Sequence, residues 1–343
     1  MTMAPVAVPR RPDSAGSRGA LLTVGIDVGG TKTACVVTDA QDRLLMHEVE
    51  PTEPERLTGQ LSALVRRAVD RFAAAPEGTV GAVGVAVPGR VEPRTGRVGL
   101  AVNLGGGEIS LGPLLEDAVG LPCYVEHDVR AAASWLRDTS TDTERTHDMA
   151  YLSVGTGISA GIVLDGRVLR GANGLAGEVG HMTADPAGGT CACGLTGCVE
   201  VVAAGPAIAR LARAAVAAGR STSLNEGASA ADLFRAAAAG DEVAREIATT
   251  VAERLARVIR GLVLTLGVRH VVVGGGVAGA GDALLKPLLA AISREREVSP
   301  LVETAFAEVT VEILSPGAEA GARGAAAIAR QRVEAEGRKG VGD

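Results

Sequence analysis

The chain is poor in aromatic residues. Phe, Tyr and Trp together make up 2% of its 343 residues, while hydrophobic residues make up 47%. A core of that composition has to be built from Ala, Val and Leu. Basic residues are not in excess either: 34 Lys and Arg stand against 40 Asp and Glu, a net charge of −6. That argues against a binder of nucleic-acid backbone, which needs a basic face. No run of about 18 apolar residues free of charge occurs, so no membrane span is expected. Cysteine is scarce, at five residues, and Cys35 and Cys123 do not read as a disulfide pair. This usage suits a reducing, cytoplasmic setting. Two nucleotide-binding signatures are also missing. There is no G-x-x-x-x-G-K-[ST] loop, and Gly25, Gly29 and Gly30 lack the Rossmann spacing.

The length suffices for two domains with substantial cores. Residues 1–20 are rich in Pro, Ala, Arg and Ser and read as a disordered tail. Arg10-Arg11 resembles a twin-arginine export signal only superficially, since no apolar stretch follows before Leu21. From Leu21 on, strands and helices alternate as in an α/β chain with mixed sheets. Two strand–glycine–strand hairpins stand out, one around Asp27–Thr33 and one around Gly155-Thr156-Gly157. Asp165-Gly166 marks a further hairpin turn. The recurrence suggests a duplicated βββ unit. Apolar spacing predicts helices over 54–75, 129–137, 199–218, 230–239, 242–266 and 319–333.

What is present in concentrated form lies between Gly177 and Glu200. Gly177-Glu178-Val179-Gly180-His181 is followed by Cys191-Ala192-Cys193 and Cys198. One His and three Cys make a closed tetrahedral zinc set, with no open position for catalysis. Gly194 and Gly197 let the loop fold back so that the ligands converge. Glu178 and Glu200 flank this set without being needed by it, which makes them candidates for a role beyond structure. Three glycine-rich turns follow strands, at 27–33, 155–157 and 274–276. Exposed backbone N–H groups in such turns form anion sites. Together they suggest a nucleoside triphosphate held between two domains. Asp27, on the first turn, is placed to orient Mg²⁺ through water. Asp128, read alone, is a helix N-cap at a strand end.

These motifs taken together resemble the ROK family of repressors, open reading frames and kinases. The resemblance rests on Asp27-Val28-Gly29-Gly30-Thr31-Lys32, Gly155-Thr156-Gly157, Gly177-Glu178-Val179-Gly180-His181 and Cys191-x-Cys193-Gly194-x-x-Gly197-Cys198-x-Glu200. It implies a two-domain actin-like, ribonuclease-H-like sugar kinase fold with an interdomain cleft. The expected division is a small domain at 21–128, completed by a helix at 317–335, and a large domain at 129–316. Asp128 is then the catalytic base, taking a proton from a sugar hydroxyl as the γ-phosphoryl group of ATP arrives. The sugar residues implied are Asn103, His127, Asp128, Glu178, His181 and Glu200. The nucleotide residues are Asp27, Gly29, Gly30, Thr31, Lys32, Thr156, Gly157, Gly274, Gly275 and Gly276. ATP, Mg²⁺ and a structural zinc on His181, Cys191, Cys193 and Cys198 are the implied cofactors. One nitrogen of His181 would bind zinc and the other face the sugar.

The chain departs from the family pattern beside the expected sugar. His127 replaces the common Asn, and Leu104-Gly105-Gly106-Gly107 follows Asn103 where Pro-Gly-Trp is frequent. The expected activity is therefore phosphorylation of a hexose, glucose first, or of a related hexose or sugar-like cyclitol. A homo-oligomer, dimer or tetramer, with no nucleic-acid or membrane partner, completes the expectation. The segment before Asp27 has no helical pattern and falls short of the winged-helix domain of the family's repressors.

Overall fold

The computed structural model describes residues 20–99 and 107–339. They divide into two compact units. The first comprises 20–141, Arg170–Leu175 and 319–339, and the second Asp142–Leu169 and Ala176–Ala318. The boundary falls at Thr141 rather than at 128, so the helix beginning at Asp128 stays with the strand that precedes it.

In the first unit, β1 (Leu21–Val28), β2 (Lys32–Thr38), β3 (Leu44–Pro51), β4 (Thr79–Val87) and β7 (Cys123–His127) form a sheet of order β3-β2-β1-β4-β7. The first three strands are antiparallel neighbours, and β4 and β7 extend the sheet in parallel. A ribbon of β5 (Arg90–Glu92) and β6 (Arg97–Gly99) stands apart. The two faces of β1 are buried differently, because side chains alternate along a strand. Leu22, Val24, Ile26 and Val28 point into a core filled by Leu57, Leu61, Leu64, Val65 and Phe72 of α1 (Leu57–Phe72) and by Leu111 and Leu115 of α2 (Leu111–Val119).

The opposite face meets α11 (Ala320–Lys339), which is rich in Ala and Gly. Its backbone lies almost against the sheet. A Cβ placed on Gly25 would stand 1.9 Å from the Ala322 carbonyl oxygen, and one on Gly84 1.9 Å from that of Ala325. A Cβ on Gly324 would stand 2.0 Å from the Ala131 carbonyl oxygen of α3 (Asp128–Thr139). Ala86, Ala131 and Ala325 form the small cluster between these elements. Arg323 then fastens the helix from its outer side. It pairs with Asp42 at 2.6 Å and lies over the ring of Trp135, whose Nε1 donates to the same carboxylate at 2.8 Å.

The second unit repeats the design. β8 (Met149–Val154), β9 (Ile158–Leu164), β10 (Arg167–Val168), β11 (His270–Gly274) and β12 (Thr310–Ile313) run in the order β10-β9-β8-β11-β12. Pair by pair, the directions are those of the first sheet. The duplication suggested by the glycine hairpins is thus visible in both sheets. Asp165 and Gly166 both have positive φ, as the two-residue turn between β9 and β10 requires. The core is formed by α6 (Gly205–Ala217), α7 (Ala230–Ala238), α8 (Glu242–Leu266) and α9 (Asp282–Val298). α8 buries Val243, Ile247, Val251, Leu255, Val258 and Leu262 along one face.

The helix expected over 199–218 is two helices. α5 (Glu200–Ala203) stops at Ala204, whose backbone is extended, and α6 restarts at Gly205 with a proline in its first turn. Proline suits that position because its missing N–H would have no helical partner there. The break frees the Gly205 N–H to bond the Gly155 carbonyl at 2.8 Å.

The packing of α11 predicts a contrast between two glycines. Gly84→Ala forces a methyl group into backbone that cannot rotate away, and should cost about 2–4 kcal/mol of unfolding free energy. Gly59→Ala, on α1 with nothing within 4 Å of the added carbon, should instead stabilise by about 0.5–1 kcal/mol. Denaturant unfolding of both variants checks this; equal effects would contradict the close approach.

Candidate active site

In the first unit, β1 carries Asp27 at its end and the turn to β2 carries Gly29, Gly30 and Thr31, with Lys32 opening β2. The Gly29 N–H bonds the Lys32 carbonyl at 2.9 Å. Thr52, which the sequence did not single out, holds this turn from β3's side. Its hydroxyl donates to the Gly29 carbonyl at 2.7 Å and lies 3.0 Å from the Thr33 hydroxyl. Thr31 and Lys32 are exposed at the tip.

Asp27 sits against the first turn of α11. A Cβ on Gly321 would lie 2.4 Å from its Oδ2, so only glycine leaves space for the carboxylate. Burial raises its pKa to about 7; the charges of Asp128 and Glu319 push the same way and Lys32 opposes them. Glu319, immediately before α11, is a second acid that sequence reading missed. An acid cluster of this kind fits a bound divalent cation, whose charge would relieve the mutual repulsion.

Asp128 opens α3. Its Oδ1 accepts from the Val129 N–H at 2.8 Å and lies 2.9 Å from His127 Nδ1. Burial alone would raise this carboxyl, but the His127 hydrogen bond and charge, the Val129 N–H and the Arg130 charge outweigh it. The group is held below the usual carboxylate range. His127 is itself buried, with its ring turned to the carboxylate beside it. Behind them lies a network absent from the sequence reading. Glu126 accepts from Arg130 Nε at 2.8 Å, from its neighbour's N–H at 2.9 Å and from Arg170 Nη2 at 2.7 Å. Arg130 also donates to the Gly174 carbonyl at 2.9 Å. This network attaches Arg170–Leu175 to the start of α3. The available signal was a Glu and an Arg in segments that have to be buried, where charges need partners. Asn103 and residues 104–106 lie outside the described residues.

In the second unit, the turns at 155–157 and 274–276 come together. A Cβ on Gly155 would lie 3.7 Å from the Gly276 N, and Gly275, with φ 83°, packs against the Val154 backbone. Thr156 is exposed at the tip. Gly177 and Gly180 bring the Glu178–His181 turn flush onto β9. A Cβ on Gly180 would stand 2.2 Å from the Ile158 carbonyl oxygen, and one on Gly177 1.9 Å from that of Ala160.

The donor atoms of His181, Cys191, Cys193 and Cys198 all lie within 4.8 Å of one another. Sulfur ligands of a tetrahedral zinc, each at about 2.3 Å from the metal, stand roughly 3.8 Å apart. Cys193 and Cys198 Sγ are 3.7 Å apart, and Cys191 Sγ is 3.6 Å from His181 Nδ1. The residues fit the metal. His181 Nε2, the other ring nitrogen, is 3.9 Å from Glu178 Oε2. Gly197 has φ 75°, and a Cβ there would stand 1.6 Å from the Asp185 carbonyl oxygen, so the loop requires glycine.

Comparison with known proteins gives the family. The ROK family model matches residues 23–332. The glucokinase of Halalkalibacterium halodurans is 34% identical over 275 residues, 77% of this chain and 83% of that protein. The N-acetylmannosamine kinase of Citrobacter koseri is 36% identical over 259 residues, 74% of this chain and 83% of that one. Among solved structures, a ROK family glucokinase from Streptomyces griseus in complex with glucose and AMPPNP superposes with a TM-score of 0.77 at 29% identity. The match covers 90% of this chain and 99% of the other. The chain belongs to the ROK family, as an ATP-dependent sugar kinase. No helix among the described residues is long and apolar enough to cross a membrane.

The Asp27 environment yields a prediction with a definite sign. Its folded-state pKa, about 7, exceeds the ordinary value of 3.8. Its stabilising contribution is therefore complete at low pH and is lost as pH rises through about 7. Asp27→Asn removes the ionisation. Relative to wild type the variant should gain stability from pH 5 to 8, by on the order of 1–2 kcal/mol after solvent screening. Thermal unfolding without nucleotide or Mg²⁺ at both pH values checks it; a difference independent of pH would contradict the assignment.

Proposed function

We propose that this kinase transfers the γ-phosphoryl group of ATP to a hexose, with the primary hydroxyl of glucose as its first acceptor and Asp128 as the general base. The observation that carries the reading is the Asp128 carboxylate. It sits at a strand–helix junction, is held ionised by His127, Val129 and Arg130, and matches the family's catalytic acid. An ionised acceptor at the reacting hydroxyl takes its proton late, while positioning and charge neutralisation lower most of the barrier. Mg²⁺ bound with the nucleotide would neutralise phosphate charge. Asp27 is the carboxylate suited to orient it, and Gly29, Gly30, Thr31, Lys32, Thr156, Gly157 and Gly274 to Gly276 are the nucleotide-contacting candidates. Asn103, Glu178, His181 and Glu200 supply hydrogen bonds to ring hydroxyls, and such acceptors reject analogues that lack one. His181, Cys191, Cys193 and Cys198 would hold a structural zinc, which would fix the loop that carries Glu178 and Glu200 without an open position for catalysis.

A second acceptor, another hexose or a sugar-like cyclitol, is favoured by His127. An imidazole in place of the family's usual Asn, directed onto the catalytic carboxylate at 2.9 Å, changes the shape and donors beside the reacting hydroxyl. The relatives divide in the same way, one a glucokinase and one an N-acetylmannosamine kinase.

Coupled ADP release across glucose, mannose, glucosamine, N-acetylmannosamine and cyclitols tests both readings, in wild type and in His127→Asn. Glucose should be turned over, and the substitution should change the ratios of kcat/KM by about tenfold or more. Turnover of none of these acceptors would overturn the kinase reading, and unchanged ratios would remove His127 from specificity. Metal analysis of the same protein should find one zinc per chain; a metal-free, fully folded enzyme would contradict the structural zinc.

A further inference from the structure

Glu200 opens α5, two residues beyond Cys198. It is expected at the sugar, yet its Oε2 accepts a hydrogen bond from the Ile158 N–H at 3.0 Å. Ile158 is the first residue of β9 and directly follows Gly155-Thr156-Gly157. Gly157 makes the approach possible, since a Cβ there would stand 2.6 Å from the same oxygen. The turn is otherwise closed by its own Gly155 N–H to Gly157 carbonyl bond at 2.9 Å and by the Gly205 N–H on the Gly155 carbonyl. Gly205 lies just past the end of the same short helix. The far side of Ile158 is covered by Gly180 of the Glu178–His181 turn. The other oxygen of Glu200, Oε1, makes no hydrogen bond among the described residues.

We propose that Glu200 is a positioning residue for the nucleotide: through Oε2 it fixes the Ile158 N–H and with it the Gly155–Gly157 backbone, while Oε1 remains for a sugar hydroxyl. One carboxylate, carried by the cysteine loop, thereby sets the shape of the phosphate turn and joins the acceptor side of the site to the donor side. The inference rests on the kinase reading above and deepens it. A hydrogen bond to a charged acceptor is stronger than a neutral one, so its loss should loosen the turn whether or not sugar is bound. A residue that only touched sugar would leave nucleotide affinity unchanged in the absence of sugar.

The test is calorimetric binding of AMPPNP with Mg²⁺, without sugar, to wild type, Glu200→Gln and Glu200→Ala. Gln keeps an oxygen that accepts from Ile158, and Ala does not. Glu200→Ala should weaken AMPPNP about tenfold, and Glu200→Gln should stay within about threefold of wild type. Hydrogen exchange at the Ile158 amide should quicken in Glu200→Ala and remain slow in Glu200→Gln. Should circular dichroism show Glu200→Ala unfolded, Glu200→Asp, one methylene short of Ile158, takes its place with the same expectation. Wild-type affinity in the Ala or Asp variant, or equal losses in Gln and Ala, would overturn the inference and leave the kinase reading standing. Wild-type protein that fails to bind AMPPNP would overturn both.

Discussion

The first unit depends on the approach of α11 to the sheet. Glycines at 25, 84 and 324 let its backbone reach van der Waals distance of β1, β4 and α3, which no larger residue would permit. Two acids are placed by this contact. Asp27 fits beside the first turn of α11 only because residue 321 is glycine, and Asp128 begins the helix that α11 packs against. Their charges act on each other, and the outcome is unequal. The carboxyl at Asp27 is raised and the one at Asp128 lowered, because His127, Val129 and Arg130 support only the second. Neighbouring acids with divergent proton affinities are what a site needs when one must stay ionised beside incoming phosphate.

The second unit solves the equivalent problem with β9. The strand is approached by Gly177 and Gly180 on one side and by Glu200 on the other, and it directly continues the Gly155–Gly157 turn. The cysteine loop, folded by Gly197 and suited to zinc, fixes where Glu200 begins its helix. Structural and chemical residues are consequently close in sequence here, as the run from Gly177 to Glu200 shows.

Much of this was legible in the residues. The cysteine and histidine spacing pointed to the cluster of donor atoms that the fold brings together, the glycine hairpins pointed to the repeated sheet, and the long apolar register of α8 gave its helix to the residue. Other features were not legible. The break at Ala204 was masked because Val199–Ala218 keeps a helical apolar pattern; the proline after Gly205 and the bond from Gly205 to Gly155 explain it. Glu126 and Arg130 are four residues apart, but Arg170 and Gly174, which complete their network, lie 44 residues from them, and no local pattern links them. Thr52 and Glu319 reach their sites through strand and helix packing, for which local pattern carries no signal. The α11 glycines carry no local signal of their role, which is to allow close contact with neighbouring side chains and backbone.

The central claim is that Asp128 acts on the acceptor hydroxyl and does not merely cap its helix. Glucose-dependent ADP release by Asp128→Asn measures this most directly, alongside glucose and AMPPNP binding to the same variant. The account predicts turnover lower by about 10²–10⁴-fold, with the fold and AMPPNP affinity retained. Near-normal turnover by a folded Asp128→Asn enzyme would contradict it.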